Sequence, residues 1–276
     1  MKAFSEVMAE LAAEGGVTVG DDWTQGRTLF GGLSAALAAA DATRLAGEGQ
    51  EAGAPPLRSG QFAFIGPAAG PVTVGSTVLR RGRSAVFIQA DVMAEAGLAL
   101  RAILTFGSAR PSAMSYGDLP PPPAKPADDC PSLHGPSGGP GFAAHFDVRP
   151  ADGELWFKRR EDGSVERKLG KPDLILWAKH RDPLAGTGPV ALLALGDIPP
   201  PAAMRLMQTP SPISTMTWMV DFLNPPQPPL ARDDGWRLLR STAEVVTEGY
   251  CSQSMSLWDS AGRPLLASRQ NVAVFG

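Results

Sequence analysis

The chain has 276 residues, 43% hydrophobic and 19% charged, which supplies a packed core and excludes a wholly disordered protein. Its net charge of −3 gives no strong pull on nucleic acid, and no nucleic-acid partner is expected. The length suits one large domain or two of ordinary size, and 31 glycines and 27 prolines call for prominent loops or linkers.

In chain order, Phe4, Met8, Leu11 and Ala12 recur at helical spacing, so a short amphipathic helix is expected over 4–14, ended by Gly15-Gly16. The same stretch carries Glu6, Glu10 and Glu14 and has neither the basic start nor the unbroken apolar core of a signal peptide. No uncharged apolar run is long enough to span a bilayer, so a cytoplasmic protein without membrane contact is expected. Gly31-Gly32 then opens a run of alanine and leucine over 33–42 with strong helix propensity. Small residues on nearly all its sides predict a helix wrapped by other structure. The paired glycines either present backbone N–H groups to a ligand at the positive end of that helix or only permit a tight entry.

From 57 to 108 the period changes to two, and 61–65, 71–74, 84–92 and 98–104 read as four strands. Arg81-Gly82-Arg83 and Glu95-Ala96-Gly97 are the turns. Arg80, Arg81 and Arg83 make a basic tip, which is more often solvated than ligand-binding but suits phosphates. The prolines of 111–140 make a stiff linker, so the chain divides into units 1–110 and 141–276. In the second unit, 142–149 and 154–158 form a hairpin around Asp152-Gly153, 165–181 is strand-rich, and 190–207 is a helix broken near Pro199-Pro200-Pro201. Four strands follow, at about 213–223, 236–247, 249–258 and 264–274.

Asp197 closes the apolar run that begins at Leu192. An ionised carboxylate is costly to bury unpaired, so Asp197 is either a solvated helix end, the commoner case, or a functional acid. Thr215 and Gln270 are polar positions on apolar strands that could meet it. Other motifs are weaker. Gly135-Pro136-Ser137-Gly138-Gly139 fits the serine-hydrolase pattern but lies in the linker, without the strand and helix that motif needs. His134, His145 and His180 have no metal-ligand spacing, and no metal or cofactor is called for. Cys130 and Cys251 do not make a disulfide scaffold. Trp156, Trp177, Trp218, Trp236 and Trp258 read as core or interface.

The two units resemble each other. Phe64-Ile65-Gly66-Pro67 aligns with Phe222-Leu223-Asn224-Pro225, and Gln89 through Gly97 aligns with Gln253 through Gly262, allowing a small insertion. On that register Asp41 is a rough counterpart of Asp197, Leu57 of Thr215, and about Thr105 of Gln270. Only the second unit offers the full polar set, which implies one active half and one degenerate half.

A helix wrapped by an antiparallel sheet, duplicated in one chain, resembles the double hotdog fold. This is an α+β architecture of two tandem units forming one continuous sheet. Phe30-Gly31-Gly32 with its small-residue helix, and Leu265-Leu266-Ala267-Ser268-Arg269-Gln270 near the end, resemble the acyl-CoA thioesterase II (TesB-like) family. The resemblance implies hydrolysis of acyl-CoA to free acid and CoA, by a water held by an Asp, a Thr or Ser, and a Gln. Carried over, these are Asp197, Thr215 and Gln270, and no metal is needed. For that reaction, backbone N–H groups at Gly31-Gly32, or at the start of the helix near Gly188, suit polarising the carbonyl, and the basic tip with Arg81 and Arg83 suits the phosphates of coenzyme A. Ser214 and Thr217 are stand-ins for Thr215, and strand alternation puts Thr217 on its face and Ser214 on the other. The three prolines after Asp197 and the spacing of Gln270 from Ala267-Ser268 depart from the family pattern. The alternative is a non-catalytic acyl-binding protein on the same fold; a dehydratase would want a His near the helix, and 33–46 and 190–207 have none. Exposed sheet edges favour a homo-oligomer.

Overall fold

The computed structural model describes residues 1–133, 139–155, 157–159, 165–209, 211–223 and 233–275. His134, the Gly135 to Gly138 part of the hydrolase-like motif, Trp156, and Asn224-Pro225 of the repeat lie outside the described residues.

The first half runs α1 (Phe4–Glu14), β1 (Gly16–Val17), a small pair β2 (Thr24–Gln25) and β3 (Thr28–Leu29), α2 (Gly31–Gly47), β4 (Leu57–Phe64), β5 (Val72–Arg81), β6 (Ala85–Ala94) and β7 (Gly97–Gly107). The second runs β8 (Phe146–Pro150), β9 (Phe157–Arg159), β10 (Val165–Arg167), β11 (Asp173–His180), α3 (Pro189–Gly196), β12 (Ile213–Phe222), β13 (Arg237–Thr247), β14 (Tyr250–Asp259) and β15 (Pro264–Val274). Eleven strands join in one sheet in the order β1-β5-β6-β7-β4-β12-β15-β14-β13-β11-β8. The halves meet at the antiparallel pair β4–β12, where Trp218 stands opposite Phe62 and Val220 opposite Gly60. This is the double hotdog arrangement, two helix-wrapped units fused through one sheet.

α1 stops where Gly15 takes φ 71, a left-handed conformation that glycine adopts without a Cβ penalty, and its N–H returns to Leu11 O. α2 is buried almost from end to end, from Gly32 through Ala39 and again at Asp41, Ala42 and Ala46. Its alanines let sheet and helix close on it from several sides. A Cβ placed on Gly32 would stand 2.9 Å from the Ala194 carbonyl oxygen, so the start of α2 and the body of α3 meet backbone to backbone.

Two expectations need correction. Residues 142–149 and 154–158 do not pair as a hairpin. Gly141–His145 is a 3-10 turn, β8 pairs with β11 instead, and β9 pairs with β10 in a separate two-stranded sheet. Burial decides this, because Phe146 and Val148 are almost inaccessible and need a partner inside the main sheet. The segment after Ser108 packs on the second half, where Leu119 O accepts a hydrogen bond from Trp258 Nε1 and Lys125 O one from Trp177 Nε1. Thr217 does not share a face with Thr215. A β-bulge interrupts β12 between them, and inward positions pass from Ile213 and Thr215 to Trp218, Val220 and Phe222.

The bulge also fixes the register of the repeat. With Phe64 set on Phe222, the β12 bulge falls on a bulge in β4 between Leu57 and Ser59. Thr215 then matches Leu57. Trp218, paired with Gln270, matches Gly60, paired with Leu104. The counterpart of Gln270 is therefore Leu104 and not Thr105. Gln270 pairs with Gln253 as Leu104 pairs with Ile88, so Gln253 matches Ile88 and not Gln89. Both one-residue errors have the same cause: Gln89 and Thr105 lie on the outer side of the sheet, between inward-facing neighbours that are fully or almost fully buried.

Candidate active site

α3 begins with Pro189 in its first turn and ends where Pro199, Pro200 and Pro201 cannot continue it. Asp197 is its C-cap residue, and the prolines leave it facing a cavity of about 660 Å³. The N-terminus of α2 forms the opposite wall. A Cβ on Gly31 would sit 2.7 Å from Asp197 Oδ2, so only glycine lets the carboxylate come this close to the helix. The backbone N–H of Gly32 is directed at the same carboxylate.

Gln270 reaches Asp197 from β15, its Nε2 donating to Oδ1 at 2.6 Å. Gln270 is almost fully buried, while Asp197 is half-buried and open to the cavity. Desolvation pushes the Asp197 pKa up to about 7, against the hydrogen bonds from Gln270 and from the Gly32 N–H, which pull it down. No other ionisable side chain lines the cavity among the described residues. The walls are otherwise mostly apolar, with Phe64, Leu100, Leu133, Phe142, Met204 and Ile213 prominent.

The sequence-derived residues divide into three sets. Asp197 and Gln270 are hydrogen-bonded, and Gly31 and Gly32 adjoin them. Thr215 lines the same cavity from β12 without bonding to either, and Ser214 lines it beside Thr215. Thr217 instead lines a groove of about 480 Å³ on the outer side of the sheet. Arg81 and Arg83 are not brought to the cavity. Arg81 donates to the carbonyls of Leu45 and Ala46 at 3.2 and 3.1 Å, closing the opposite end of α2 from Gly31. Asp41 is likewise not a second Asp197, being buried at that end and paired with Arg44 at 2.8 Å.

Sequence reasoning missed Gln253 as a site residue. It is fully buried on β14 and donates from Nε2 to Gln270 Oε1 at 2.8 Å. The available signal was alternation: Cys251, Gln253, Met255 and Leu257 all face inward, and Gln253 is the amide among them. His180, read from the sequence as having no metal-ligand spacing, lies on β11 and bonds the Ala191 carbonyl of α3 at 3.1 Å. Burial pushes its pKa down to about 4. It does not line the cavity.

Comparison with known proteins agrees with this fold. A crystal structure of a protein of unknown function with a hot dog fold from Alicyclobacillus acidocaldarius matches with a TM-score of 0.77 at 22% identity, covering 95% of this chain and 92% of that one. A thioesterase II candidate from Thermobifida fusca matches with a TM-score of 0.72 at 23% identity over the same shares. An acyl-CoA thioesterase II, TesB2, from Mycobacterium marinum matches with a TM-score of 0.64 at 19% identity, covering 89% of each chain. At these identities the likeness is one of fold. No curated protein matches the chain in sequence. Among the described residues no helix is long and apolar enough to cross a membrane. Residues 19–107 match the acyl-CoA thioesterase N-terminal domain and residues 119–274 the acyl-CoA thioesterase C-terminal domain, so the chain belongs to the acyl-CoA thioesterase family.

Proposed function

We propose that this protein hydrolyses acyl-CoA thioesters with a water held by Asp197, Thr215 and Gln270. The observation that carries the reading is the 2.6 Å bond from Gln270 to Asp197 at the wall of a largely apolar cavity. A carboxylate there with a pKa of about 7 is available as a base near neutral pH and is strong enough to take a proton from an attacking water. Gln270 holds the carboxylate with one amide hydrogen and has a second for the water. The Thr215 hydroxyl, on the adjoining wall, accepts from or donates to that water.

The water oxygen attacks the thioester carbonyl carbon as its proton passes to Asp197. Negative charge gathers on the former carbonyl oxygen, where backbone N–H groups at the start of α2 stabilise it. The carbon–sulfur bond then breaks, and the CoA sulfur leaves with the proton returned from Asp197. The apolar walls suit an acyl chain.

The test is release of free thiol from a panel of acyl-CoA esters of different chain length, with wild type beside Asp197→Asn. The expected result is hydrolysis by wild type and a loss of about 10²–10⁴-fold in the variant, the usual contribution of general-base catalysis. Wild type that binds acyl-CoA and hydrolyses none of the panel would favour the acyl-binding alternative. Activity surviving in Asp197→Asn would remove Asp197 as the base.

A further inference from the structure

We infer that Gln253 is a positioning residue for the proposed hydrolysis: it fixes which end of the Gln270 amide faces Asp197. The inference rests on the reading of Asp197 as the base.

The two ends of a glutamine amide are alike in shape and opposite in hydrogen bonding. With Nε2 toward Asp197, Gln270 supports the ionised carboxylate. With Oε1 toward it, two acceptors face each other unless Asp197 holds a proton. The choice is made further back. The backbone N–H of Ala202, a donor that cannot be reversed, gives its hydrogen to Gln253 Oε1 at 3.0 Å. Gln253 is thereby left to donate from Nε2 to Gln270 Oε1 at 2.8 Å, and Gln270 donates in turn to Asp197 Oδ1 at 2.6 Å. Ala202 opens the 3-10 turn directly after the three prolines. The prolines therefore set the backbone donor from which the polarity of the whole row follows.

The first half shows that the fold itself does not call for these amides. At the matching places on β6 and β7 stand Ile88 and Leu104, both fully buried. A sheet of the same build closes there with hydrocarbon alone, so a buried glutamine pair in the second half answers to something other than packing.

The charged groups around Asp197 do not supply the effect. On α2, Asp41 and Arg44 pair with each other at the far end; on β11, His180 is held by Ala191 O; on β15, Arg269 turns outward to Glu244. Arg205, in the turn after the prolines, does not line the cavity.

The experiment measures kcat/KM against pH for wild type, Gln253→Met and Gln253→Glu. Met matches Gln in length and removes the amide. Gln270 is then free to turn, and the protonated form of Asp197 gains a partner. The expected result is an acid limb displaced upward by about half a unit to one unit, with a loss of about two- to fivefold at pH 7. Ionised glutamate at 253 would only accept, which reverses the row, so its limb should move further. In a Gln270→Met background, Gln253→Met should add no further loss, because its route to Asp197 is gone. A profile unchanged in shape in both Gln253 variants, or equal losses in both backgrounds, overturns the inference. If neither variant folds, wild type still decides: the side-chain amide NMR signals of Gln253 should titrate with the same midpoint as kcat/KM. A signal flat from pH 5 to 9 overturns the proposal. Should Asp197→Asn keep full activity, the functional reading fails. Collapse in that variant with unmoved Gln253 profiles sinks the Gln253 inference alone.

Discussion

The two halves of the molecule use one design at different polarity. Each packs a helix against its own part of the antiparallel sheet, five strands in the first half and six in the second, and each bulges the strand at the junction at the same place. In the second half the inward positions there are Thr215, Gln253 and Gln270; in the first they are Leu57, Ile88 and Leu104. The helices differ in the complementary way. α2 starts with glycines, the Gly32 N–H directed at the Asp197 carboxylate, and α3 starts with a proline that has no N–H at all. The candidate site is thus assembled once, from the helix start of the first half and from the end of α3 and the strands of the second. Shape is carried by bulges and small residues, while chemistry needs only a few polar side chains on that shape.

The comparison can be broken first at Leu104. If its place is purely apolar, Leu104→Gln buries an amide with no donor row to meet it and should cost about 3 kcal/mol of stability, read from urea unfolding. A stable variant would mean that the first half retains a latent polar site.

Asp197 gives the next effect. Its folded-state pKa is raised from 3.8 to about 7, so the folded state holds the proton more tightly than the unfolded chain does. Stability from this group is complete below about pH 4 and is lost as pH rises to about 7. Asp197→Asn should therefore gain about 2 kcal/mol at pH 8 and little at pH 4, the full linkage value being reduced because the cavity admits water. Equal melting temperatures for variant and wild type at pH 8 would speak against a desolvated carboxylate.

Gly31→Ala sharpens the role of α2. A methyl 2.7 Å from Asp197 Oδ2 must push the carboxylate away from the helix start, and kcat/KM should fall by tens of times with the fold intact. Unchanged activity would show that the close approach is dispensable. The smallest effect separates the two threonines on either side of the bulge. Thr215→Val should cost about tenfold in kcat, and Thr217→Val, facing the outer groove, nothing measurable.

Much of this was legible in the chain. The four last strands, the alanine helix and the Asp197–Gln270 pairing follow from periodicity and from a resemblance carried by a few residues. What stayed hidden was register. A bulge adds one residue without any local signature in Ile213 to Phe222, and alternation counted through it puts Thr217 on the wrong face. The same one-residue ambiguity sent Gln270 to Thr105 and Gln253 to Gln89, because two adjacent strand positions differ only in which side of the sheet they occupy. The hold of Arg81 on α2 was hidden for another reason: its partners are carbonyls at the end of that helix, and backbone acceptors leave no mark on composition.

The most direct test of the account is kcat/KM of wild type as a function of pH on one acyl-CoA ester, beside Asp197→Asn. The account predicts activity that rises with pH through an apparent pKa of about 7, with that limb absent from the residual activity of the variant. A limb in the ordinary carboxylate range, or one near 7 that persists in Asp197→Asn, would contradict it.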